Sequence, residues 1–166
     1  EEMQMEAQDF YTLCNNHAYQ SIYFDCACLA GAFLQQREKH GPVIMQDEIF
    51  SAITNSAETN ASCANTERLA GRTFDNCMSF LGGFARTELN GDQNVEICTC
   101  ASNKMARDFS QAPRLSSSYI EALRYRAMTS CRDPKFREDY KAQSAAANAA
   151  AQQNTGAAPI APRSAN

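Results

Sequence analysis

Phe24-Asp25-Cys26-Ala27-Cys28 and Glu96-Ile97-Cys98-Thr99-Cys100 are the stretches on which the reading of this 166-residue chain turns. Each holds a Cys-x-Cys pair standing between one cysteine upstream and one downstream: Cys14, Cys26, Cys28, Cys63, and then Cys77, Cys98, Cys100, Cys131. Matching cysteines lie 63 to 72 residues apart. Tyr11 precedes Cys14 by three residues as Phe74 precedes Cys77. After each pair come an apolar helix candidate, a proline (Pro42, Pro113) and a second helix candidate that leads to the last cysteine. Agreement on several levels at once is the signature of an internal duplication.

Eight cysteines in so short a chain read as a disulfide framework, because reducing compartments keep thiols free while secreted and periplasmic chains use them as staples. Zinc sites fit less well, since structural zinc favours Cys-x2-Cys knuckles and often histidine. On a regular strand two cysteines two apart face the same side. The expectation is therefore a short extended, irregular Cys-x-Cys segment between helices, one member reaching the first helix and the other the last. Cys14 and Cys63 would each join one of Cys26 and Cys28, and Cys77 and Cys131 one of Cys98 and Cys100, with the choice of member left open.

The stripe Met3, Ala7, Phe10, Cys14, Ala18 has helical spacing, as does Ala70, Phe74, Cys77, Leu81, Phe84. A third helix is expected from Ser118, with Glu121 completing a capping box, through Ile120, Leu123, Ala127 and Cys131. Its counterpart begins near Asp47 with Ile49 and Ile53. The fold class is thus all-α: two tandem disulfide-stapled repeats of about three helices, 1–64 and 65–132, followed by a C-terminal helix, 133–153, and an extended tail, 154–166. Asp133-Pro134 is a strong start for that last helix, an N-cap followed by proline where no N–H is needed. Phe136 and Tyr140 share one side of it. Ile160 is the one large apolar residue of a tail that cannot order itself by its own burial, so Phe136, Tyr140 and Ile160 are the candidate partner contacts.

No pattern points to catalysis. His17 stands three after Cys14 as a thiolate's base would, but Phe80 holds the matching place after Cys77, so a bridged Cys14 is favoured. Asn90, Asp92, Asn94 and Glu96 alternate oxygen donors, yet Val95 stands where a calcium loop needs glycine, and a turn is expected instead. Asn60-Ala61-Ser62 has the form of a glycosylation acceptor. Phe10, Phe74, Phe80, Phe84 and Phe109 fit either a core or the lining of an apolar-ligand cavity. No cofactor or metal is expected. A net charge of -4 and pI near 5.2 argue against a nucleic-acid partner. No run of the sequence reaches the length of a membrane span, although docking to a membrane-associated assembly is compatible with it. The polar, acidic opening at Glu1 fits a mature exported protein. Arginine outnumbers lysine 11 to 4, which suits an interface. The expectation is a non-enzymatic, extracytoplasmic (periplasmic or secreted) accessory subunit with a protein partner or a second copy. A soluble carrier or chaperone for an apolar ligand or client is the alternative, and disulfide exchange ranks third.

Overall fold

The computed structural model describes residues 2–84 and 91–154, with side chains at 83–84 and 151–154 left aside. All regular structure among these residues is helical: α1 (Glu2–Asn16), α2 (Gln20–Tyr23), α3 (Cys26–His40), α4 (Gln46–Asn55), α5 (Ala57–Cys63), α6 (Thr66–Phe84), α7 (Gly91–Gln111), α8 (Ser117–Cys131) and α9 (Pro134–Asn154). The segment up to Cys63 holds five helices rather than three, since the short α2 and α5 flank the cysteine-bearing elements. Pro42 and Pro113 fall in the breaks after α3 and α7.

Disulfides join Cys14 to Cys26, Cys28 to Cys63, Cys77 to Cys98 and Cys100 to Cys131. The extended Cys-x-Cys segment expected from the sequence is corrected: both pairs are helical. Asp25 caps α3, its carboxylate accepting the N–H groups of Ala27 (2.9 Å) and Cys28 (3.0 Å), so Cys26 is already the first helical residue. Cys98 and Cys100 lie within α7. A helix turns by ~100° per residue, so side chains two apart diverge by ~200°. That divergence lets neighbouring cysteines staple opposite sides of one helix without any bend. α3 is tied to α1 and α5, and α7 to α6 and α8. Asp25→Ala is expected to lower stability by about 1 kcal/mol, read as a lower urea midpoint at unchanged slope.

Ala7, Phe10 and Cys14 are buried on α1, whereas Met3 is part exposed and Ala18 lies in the turn beyond the helix. The buried seam of α6 is Leu69, Thr73, Cys77 and Leu81, steps of four that leave Ala70 and Phe74 half-buried beside it. α8 buries the expected Ile120, Leu123, Ala127 and Cys131. Its cap is Ser116 rather than Ser118, the Ser116 hydroxyl accepting the Tyr119 N–H while Glu121 bonds Arg124. Ile49 and Ile53 are the buried pair of α4. The turn expected at Asn90-Gly91-Asp92 is corrected as well: α7 already begins at Gly91, and Asn90 lies outside the described residues.

One apolar core gathers residues from α1 through α8. Phe10 stacks on Phe33 at 5.1 Å, and Phe24 meets Phe109 edge-on at 5.6 Å, carrying the core from the α2–α3 junction to α7. An isolated antiparallel bridge, Phe24 with Ala64, ties that junction to the α5–α6 junction through Asp25 N–H to Cys63 C=O (2.7 Å) and Asn65 N–H to Tyr23 C=O (2.8 Å). Tyr23 is buried in the same place, and burial raises its phenol pKa; Arg124 and Arg72 pull it back, while Glu121 and Tyr19 push it further up. A raised folded value means that the native state holds the phenol proton more tightly. The associated stability is complete below the unfolded value of about 10 and is lost as pH rises through the folded value. Tyr23→Phe is expected to flatten this alkaline loss, read as thermal midpoints measured from about pH 8 upward.

Candidate functional site

All eight cysteines are bridged, and Cys14 is therefore no nucleophile. His17 performs a local task. Its Nδ1 faces the N–H groups of Tyr19 (3.3 Å) and Gln20 (3.4 Å) at the start of α2, whose donors have no helical partner of their own. Asp92, Asn94 and Glu96 ride on α7, with Asn94 buried and Glu96 exposed, 3.8 Å from Arg137. Spread around a helix in this way, they do not converge as a calcium loop's oxygens must. Asn60 is buried at 2% exposure and its Nδ2 donates to the Thr54 carbonyl at 2.9 Å, so in the fold that amide faces inward.

Phe136 and Tyr140 stack on each other at 5.9 Å and turn toward the body. Lys104 of α7 sits over the Phe136 ring and Arg107 over the Tyr140 ring, each at 5.9 Å. Arg137 between them donates to the Cys131 and Arg132 carbonyls at the end of α8. The two aromatics thus fasten the start of α9 onto the bundle. Asp133 begins that helix, accepting the Lys135 N–H at 3.0 Å. From Lys141 to Ala150 every residue except Ser144 is exposed, and Lys141 and Ser144 border α7. Ile160 lies outside the described residues.

The phenylalanines weighed as cavity lining divide. Phe10 and Phe109 are packed core residues, Phe74 is half-buried, and the Phe84 side chain lies outside the described residues. Phe80 is instead 45% exposed and belongs to a surface groove of about 460 Å³ between α6 and α8. Tyr125, Met128, Arg124 and Arg132 complete its apolar floor and cationic rim, Arg132 standing 5.9 Å over the Phe80 ring. No pattern in the sequence marks this groove, because the exposure of Phe80 and Tyr125 depends on neighbours distant in sequence. Tyr125 stands on the face of α8 away from Ile120, Leu123 and Ala127, while Met128 is half-buried against the core at the edge of that face. Tyrosine and arginine beside exposed apolar surface are the composition of an interaction site.

No described helix is long and apolar enough to cross a membrane. Among the described residues no cluster of three metal-ligating side chains is found. No family model, no curated protein and no solved structure matches this chain. Four disulfides are typical of a protein from an extracellular or otherwise oxidising compartment.

Proposed function

We propose that this chain is a non-enzymatic, exported accessory subunit that docks onto a larger extracytoplasmic assembly through its helical faces and C-terminal extension. The observation that carries the reading is the course of α9. Phe136 and Tyr140 anchor its first turns on α7, Lys141 and Ser144 still border α7, and from Ala145 to Ala150 every residue is exposed. A helix that is polar or small on all sides gains little by standing alone in water. A partner surface supplies the missing burial, with Ile160 as the large apolar contact of the tail. In this reading the two stapled sets, 1–64 and 65–132, are copies of one unit, 133–153 is the docking helix and 154–166 the tail. Their common connectivity, first cysteine to second and third to fourth, supports the duplication.

The test is a chain ended after Tyr140, compared with the full chain in its native source by size-exclusion chromatography with light scattering. The full chain is expected in a particle of higher mass. The shortened one should keep its helicity and four disulfides yet leave that particle. A monodisperse monomer for the full chain, with no stable partner, overturns the proposal.

A further inference from the structure

Charge is divided unevenly along this chain. Residues 1–64 carry nine carboxylates against two lysines and arginines, whereas residues 65–166 carry ten carboxylates against thirteen, so a segment of net -7 precedes one of net +3. The acidic part also presents an apolar knob. Between α3 and α4, Val43 is 89% and Met45 70% exposed. Neither is left hanging on a loose loop. Gly41 ends α3 at φ 71, its N–H bonded to the Arg37 carbonyl at 2.8 Å. The buried Arg37 guanidinium donates to the Gly41 and Ile44 carbonyls while Glu6 holds its other edge at 2.6 Å. Arg37 thereby pins the backbone on both sides of Val43. Asp47 and Glu48, both exposed, follow at once in the first turn of α4.

The α6–α8 groove lies in the part of the chain with the opposite net sign. Phe80, Tyr125 and Met128 offer an apolar floor, Arg132 stands 5.9 Å over the Phe80 ring, and Arg124 lines the same groove, bonded on one edge to Glu121, the one carboxylate among the lining residues. Knob and groove share no residue. We infer that the Val43–Met45 knob of one copy seats in the α6–α8 groove of a second copy, the Asp47 and Glu48 carboxylates meeting the Arg124 and Arg132 guanidiniums. Such a contact can be made reciprocally about a two-fold axis or repeated head to tail, and in either mode it raises the mass of the particle. It does not involve α9 and stands apart from the docking proposed above.

Sedimentation of the purified full chain at low salt tests this directly. Average mass is expected to rise with concentration and to fall back when salt screens the charges. Asp47→Arg with Glu48→Arg in one variant, and Arg124→Glu with Arg132→Glu in another, should each weaken self-association at least about tenfold, since like charges then face each other. Mixing the two variants should restore it, because each knob again meets a groove of opposite sign. Met45→Ser and Tyr125→Ser, at exposed positions that leave the fold intact, should each weaken association as well. A wild-type chain that stays monomeric up to about 1 mM, association unaltered by these variants, or a mixture that does not recover it would each overturn the inference.

Discussion

Full reduction of the four disulfides is expected to unfold the chain at 25 °C and neutral pH, with loss of most of its helical circular dichroism. The bridges span 12, 35, 21 and 31 residues. Loop-closure entropy assigns each about 3 to 4 kcal/mol, or about 13 kcal/mol for all four if they add. That matches the whole net stability of an ordinary domain, about 5 to 15 kcal/mol. The rest of the architecture offers little reserve. α2 and α5 are four and seven residues long, too short to persist without tertiary support. Retention of native helicity and cooperative melting after complete reduction and alkylation would show that the core alone suffices. Among single bridges, serine replacement of Cys28 and Cys63 should cost most and of Cys14 and Cys26 least, in the order of their loop lengths.

Phe109→Ala is the substitution expected to cost most outside the cysteines, about 3 to 5 kcal/mol. Its ring is fully buried on α7 and lies 5.6 Å from Phe24 and 6.5 Å from Tyr23. It is thus a direct packing contact between the part of the chain before Cys63 and the part after it. Truncation removes that contact and leaves a cavity between elements already pinned by Cys28–Cys63 and Cys100–Cys131, which limits how far they can collapse into it. Tyr125→Ala, at a ring 73% exposed, should by contrast change stability by no more than about 0.5 kcal/mol. Urea titrations of the two variants beside wild type check both values. A Phe109→Ala midpoint close to wild type would contradict the packing described here.

The helical class was legible because buried residues recur at helical steps around the cysteines: Phe10 and Cys14, Ile49 and Ile53, Leu123, Ala127 and Cys131. Asp133-Pro134 marked the start of α9 by the chemistry of a cap alone. The Cys-x-Cys segments are helical rather than extended because side chains two apart on a helix diverge by about 200° and so reach different neighbours without a bend. Asp25, one residue before the first pair, supplies the cap that makes that segment helical. The seam of α6 shifted by a single position, to Leu69 and Thr73, since threonine at a buried place breaks an apolar pattern without breaking the helix. The knob at Val43 and Met45 and the groove at Phe80 and Tyr125 could not be read in advance. Exposure of an apolar residue depends on which neighbours close over it, and those neighbours are distant in sequence.

The central claim is that each Cys-x-Cys pair, carried on a helix, sends its two thiols to different neighbours. Partial reduction, cyanylation and fragment mass mapping of the native protein test it most directly. The expected result is an unreduced mass eight hydrogens below the reduced one and the pairs Cys14–Cys26, Cys28–Cys63, Cys77–Cys98 and Cys100–Cys131. Free thiols, exchanged partners within a Cys-x-Cys pair, or any bridge between the first four cysteines and the last four would contradict it.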